Sequence, residues 1–255
     1  MSKLAKVELK PVRTFGVFLT AAFIALALPH ATPGQSGSFT VLQLGKRVGT
    51  ASFKFVSTPN GIDSTSTVHV STKGLEYAFS KNEELSATNE LRHVQLSATV
   101  NDSAVNLVGE PDAAQFVLNI SANGRSSMAR LDAHPAAVFL PDFDPGALET
   151  LLVLGVSRNN HDLWAIFPKQ SGNQSATISR VQLATYPDEQ GTFNGQPISV
   201  HHLVATITGT ATDLFTGPEN QLMQAELPQE GFALIRNGFV LKPPAKAGAA
   251  PAPER

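Results

Sequence analysis

Three groups of residues carry side chains that could do chemistry, and each can be checked against the spacing that chemistry requires. Gly34-Gln35-Ser36-Gly37-Ser38 approaches the Gly-x-Ser-x-Gly elbow of a serine hydrolase. It lacks the last glycine, and it precedes the first periodic segment rather than joining a strand to a helix. His201 and His202 are adjacent in a stretch that reads as a strand, so their rings point to opposite faces and cannot share one metal. Asp132, His134, Asp142 and Asp144 crowd one connection, but a calcium loop has tighter spacing and a turn glycine, and capping or turn roles fit better. No phosphate-cradling loop and no His-Glu-x-x-His occurs. No catalytic, metal or cofactor-binding residue is assigned, and the reading is of a protein that is not an enzyme, with a dispersed hydrolase triad as the least favoured alternative.

The elements that would position any site are legible in the hydrophobic period. Ala51, Phe53 and Phe55 share one face of 47–57 while Thr50, Ser52 and Lys54 share the other, the pattern of a half-buried strand. The same period returns in 64–70, 94–100, 115–121, 198–207 and 231–241. Pro59-Asn60-Gly61, Lys73-Gly74, Asn101-Asp102, Asn123-Gly124 and Asn194-Gly195 separate the runs, and Asn and Gly are the residues that accept positive φ. The expected fold is mainly β: about ten strands forming a single large curved antiparallel sheet, half-barrel or barrel.

One segment breaks the period. Asp144 is placed as a helix N-cap with Pro145 in the first turn, ahead of Leu148, Leu151, Leu152, Val153, Leu154 and Val156. A short apolar helix over about 145–157 would pack on the sheet or plug it; a buried strand over 151–156 is the competing reading. Phe53, Phe55, Phe116, Leu118, Leu151, Leu152 and Trp164 are candidates to line an apolar cavity, though the same side chains would equally fill a closed core.

Composition narrows the setting. The chain has 255 residues, 42% of them hydrophobic, and a net charge of −2, which gives no electrostatic case for nucleic acid or an anionic membrane surface. It has no cysteine, so disulfides, thiolate metal sites and lipid modification of an N-terminal cysteine are excluded. Lys3, Lys6, Lys10 and Arg13 precede an apolar run from Phe15 to Leu28, closed by Pro29, Pro33 and Gly34. That order is the signature of an export signal over 1–31, with Ala25-Leu26-Ala27 as a small-x-small cleavage site. The run falls short of the roughly 20 residues that cross a bilayer, so a cleaved signal is preferred to a retained single anchor. The expected location is periplasmic or secreted, with membrane contact only through the signal. A single domain over 38–242 follows, then a Pro- and Ala-rich disordered tail over 243–255. Asn101, Asn119 and Asn173 begin Asn-x-Ser sequons, which matter only in a glycosylating host.

Gly45-Lys46-Arg47-Val48-Gly49-Thr50 forms a tight turn into a strand, and Leu227-Pro228-Gln229-Glu230-Gly231-Phe232 a Pro-broken late hairpin. In this layout the chain resembles exported bacterial β-sheet domains of unknown function, similar to the curved half-barrel of lipoprotein carriers. The resemblance implies a curled sheet wrapping a helix and able to hold an acyl chain, and brings no catalytic residues. Two functions follow as expectations: an envelope protein binding an apolar or amphipathic, lipid-like ligand on its concave sheet, or a closed β-module docking an envelope protein partner.

Overall fold

The computed structural model describes residues 35–168, 176–227 and 231–243. The expected export signal, Asn173, the tail beyond residue 243 and the tip of the late hairpin at 228–230 lie outside them.

The chain is mainly β: 69% of the described residues lie in strands, which form one large open sheet of 16 strands, with one helical segment of 13 residues among them. The first half is a continuous antiparallel meander: β1 (Ser36–Gln43), β2 (Lys46–Thr58), β3 (Gly61–Ser71), β4 (Glu76–Leu85), β5 (Leu91–Val100), β6 (Ser103–Asp112), β7 (Gln115–Ala122) and β8 (Arg125–Asp132). After β9 (Ala137–Phe139) comes the helix α1 (Pro145–Leu152), extended by a π-helical turn at Val153–Ser157. The second half holds β10 (Leu163–Pro168), β11 (Ala176–Phe193), β12 (Gln196–Ile207), β13 (Thr210–Thr216), β14 (Leu222–Leu227), β15 (Phe232–Arg236) and β16 (Phe239–Leu241). The two meanders join through β1 and β15, so the order runs from β8 back to β1, then β15 down to β9, with β16 on β11. Among the described residues only β9 with β10 is parallel.

The turns at Asn60, Asn101-Asp102, Asn123-Gly124 and Asn194-Gly195 fall where the residue types place them. Asn101, Asp102, Asn123 and Asn194 all have positive φ, which short polar side chains tolerate. The expected count of about ten strands becomes sixteen among the described residues. The run 231–241 is two strands, because Asn237-Gly238 turns the chain between β15 and β16, Gly238 at φ 87°. The strands missed by periodicity include β8, exposed along most of its length, and β4, whose inward face carries charge.

The sheet is strongly bent. Strands sit about 4.8 Å apart, so in a flat sheet β5 and β9, eleven places apart, would be about 50 Å from one another. Instead β5 lies alongside β9 and β8 alongside β11, and α1 touches β2, β3, β9 and β14 at once. The sheet therefore curls around the helix while its ends stay unpaired with each other. The main core lies inside this curve, from Phe39 and Val41 through Leu107 and Leu118 to Leu151, Leu152 and Leu163. A small second cluster of Val200, Phe215, Met223 and Phe239 packs apart from it. Among the described residues no helix is long and apolar enough to cross a membrane.

Candidate functional site

The helix start is where local chemistry and the bent sheet meet. Asp144 is the N-cap, as its type and the following proline predict: its Oδ1 accepts from the Gly146 N–H at 2.9 Å and the Ala147 N–H at 3.3 Å. Every residue of α1 is buried, Glu149 included. The helical segment spans the expected 145–157, but after Leu152 the ladder widens to a π-helical turn in which Arg158 donates to the Val153 carbonyl, five residues back.

Two buried ionic groups hold this helix against the sheet. On β4, Tyr77, Phe79, Lys81, Glu83 and Leu85 all face inward, so the strand period carries two charges into the core. Lys81 Nζ lies 2.5 Å from Asp144 Oδ2 and 2.8 Å from Glu83 Oε2, with its side chain fully buried. Burial would lower the Lys81 ammonium pKa, but the facing Asp144 and Glu83 outweigh it and raise it. Burial pushes Glu83 up, and repulsion from Asp144 adds to this against the pull of Lys81. Across the strand pair, Ser64 stands opposite Glu83 and Ser66 opposite Lys81. A serine beside a lysine suggests a nucleophile and its base, but an ammonium held protonated by two carboxyls cannot take a proton.

The second group is Glu149. Its Oε1 accepts from the Leu222 N–H and from Arg236 Nη2, both at 2.9 Å, and its Oε2 from Gln35 Nε2 at 3.1 Å. Arg236 also donates from Nε to the Leu222 carbonyl at 2.7 Å and lies over the rings of Phe39 and Phe53. Burial raises Glu149 to about 7; Arg236 and the three hydrogen bonds oppose that rise without cancelling it.

Beside the helix start opens a pocket of about 340 Å³. Leu148 and Leu151 of α1 form one wall, and Ala205, Ile207, Phe232 and Leu234 of the sheet form the facing one. Leu140, Pro141, Asp142 and Phe143, in the segment before α1, complete it. Thr208, Thr210 and Thr212 supply hydroxyls from the β12–β13 hairpin. Phe143 holds φ at 60°, a left-handed conformation rare for a bulky residue, while its ring meets Phe232 edge-on at 4.8 Å and Tyr77 at 6.0 Å. Such strain costs on the order of 1–3 kcal/mol and concentrates at functional walls. Here it turns Asp144 inward to Lys81 and leaves Asp142 exposed among the lining residues. Although the residue reaches solvent, protein packed around the Asp142 carboxyl desolvates it and raises its pKa. Burial raises the Tyr77 phenol as well, helped by the charges of Asp142 and Asp144.

Of the seven side chains proposed to line a cavity, Leu151 lines this pocket. Leu152 is fully buried, and Phe53 is packed among Phe39, Phe55 and Arg236. Phe116 and Leu118 fill the core of the other meander, closing over Gly109. Trp164, expected as core or cavity wall, is half-buried: it stacks on His134 at 3.8 Å and its Nε1–H donates to Asp162. His201 pairs with Asp188 at 3.0 Å and His202 with Asp213 at 2.7 Å, so the two rings have separate partners. Asp132 ends β8 opposite Gln115, and His134 is held by its stack on Trp164. Among the described residues no three His, Asp or Glu side chains gather as a metal site.

Lys81, Glu83, Glu149 and Arg236 were missed in the sequence reading. The signal was present in β4 as an unbroken alternation running from Tyr77 and Phe79 through two charged residues to Leu85. No known family, curated protein or solved structure matches this chain.

Proposed function

We propose that the protein is a non-enzymatic, exported envelope protein that holds one apolar or amphipathic ligand against its concave sheet, in the pocket beside the start of α1. The observation that carries this reading is the pocket itself: about 340 Å³, walled mainly by aliphatic and aromatic side chains, with hydroxyls and one exposed carboxylate among them. That volume lies near the lower end of the roughly 300–1,000 Å³ typical of small-molecule sites. The strained Phe143 supports it, because a wall held out of its preferred conformation is a feature that packing alone does not require. The likeness in layout to lipoprotein carriers points the same way by analogy, and the leader-like sequence of 1–31 suggests a periplasmic or secreted setting.

The test is titration with the neutral fluorophore N-phenyl-1-naphthylamine. Saturable one-to-one binding is expected in the wild type. It should be lost in Thr212→Trp, which places an indole in the pocket from a half-buried strand position. Absence of saturable binding, or binding indifferent to Thr212→Trp, refutes the reading. The alternative of an interaction module is favoured by one feature: β8 ends the sheet with most of its side chains exposed, Met128 at 57%, and an open edge can pair with a partner strand.

A further inference from the structure

We infer that the pocket selects single-chain amphiphiles with a positively charged head group and rejects those headed by carboxylate or phosphate. The inference rests on the ligand-binding reading above and concerns the head group alone. Among the described residues no Lys, Arg or His lines the pocket, so an anionic head would find no counter-charge there. Two acidic residues do line it, and they are not equivalent. Asp144 is already committed to the helix cap and to Lys81. Asp142 makes no ion pair or side-chain hydrogen bond among the described residues, and its carboxyl is partly stripped of water by the protein around it. A cation beside Asp142 would restore what the carboxylate has lost, whereas an anion would add like-charge repulsion.

The remaining polar groups fit the same head. Thr208, Thr210 and Thr212 carry hydroxyls that can accept from an ammonium while the alkyl chain lies between Leu148 and Phe232. The volume suits one alkyl chain and is small for the paired chains of a phospholipid.

Displacement of N-phenyl-1-naphthylamine by dodecylammonium, dodecanol and dodecanoate, each below its micelle concentration at pH 7.5, tests this. Dodecylammonium should half-displace the probe at a concentration about tenfold lower than dodecanoate, with dodecanol between, because attraction and repulsion at an exposed carboxylate each contribute a modest factor. In Asp142→Asn the ratio should shrink to within about threefold. Dodecanoate equal to or better than dodecylammonium, or a ratio unchanged by Asp142→Asn, overturns the head-group inference while leaving the pocket reading intact. Failure of the probe to bind, or displacement that persists unchanged in Thr212→Trp, overturns both.

Discussion

Replacing Glu149 with glutamine should make the protein more stable at high pH while changing little at low pH. Glu149 is fully buried in α1, and burial raises its carboxyl from 4.5 to about 7. Between those values the folded chain holds a proton that the unfolded chain has released. The contribution of Glu149 to stability is therefore fully present below pH 4.5 and is lost as pH rises through 7, the reverse of the usual salt-bridged carboxylate. At roughly 1.4 kcal/mol per pH unit the full loss is on the order of 3 kcal/mol. The glutamine amide oxygen would still accept from the Leu222 N–H and from Arg236, without the charge. The two proteins should agree within about 1 kcal/mol at pH 5, and Glu149→Gln should lead by up to roughly 3 kcal/mol at pH 8.5. Glu83 and Asp142 are also raised, but they are present in both proteins and cancel in the difference. Urea denaturation at each pH, followed by circular dichroism and by the fluorescence of Trp164, supplies the free energies and checks two-state behaviour. A difference that stays constant or reverses with pH would show that Arg236 and the three hydrogen bonds outweigh desolvation, and the reasoning would fail.

Three further outcomes are expected. Lys81→Met leaves Glu83 and Asp144 facing each other without a cation and should lower the urea-derived stability by about 3–5 kcal/mol; adding Glu83→Leu should recover part of that loss. Gly146→Ala would gain about 1 kcal/mol if only helix propensity mattered. A Cβ there would overlap Ser66 Oγ and sit 3.0 Å from Phe53 Cβ, so a net loss of about 1–3 kcal/mol is expected, eased by Ser66→Ala. Leu152→Ala should cost about 2–5 kcal/mol in the same assay, because Leu152 is fully buried beneath the bent sheet.

Much of the fold could be read before the structure, for identifiable reasons. Hairpins such as β5–β6 and β11–β12 were marked by Asn-Asp and Asn-Gly pairs whose φ preference is local. Asp144 and Pro145 announced α1 for the same reason. What escaped was set by distant contacts. Lys81 reads as a surface lysine until Asp144 arrives from 63 positions further along to cover it. Arg236 and Glu149 meet only because β15 joins β1 in the middle of the sheet. The pocket shares only Leu151 with the proposed lining, because its walls come from the segment before α1, the β12–β13 hairpin and β15. Aromatic content pointed instead to Phe53 and Phe116, which close-packing consumes.

The central claim, that one amphiphile occupies the space beside α1, is tested most directly by locating a bound chain. An alkyl diazirine, photolysed on the full chain and mapped by peptide mass spectrometry, should label segments within 140–151, 205–212 and 232–234, and excess N-phenyl-1-naphthylamine should suppress that labelling. Labelling confined to other parts of the chain, such as the exposed β8 edge, or labelling of these segments that no competitor reduces, would contradict it.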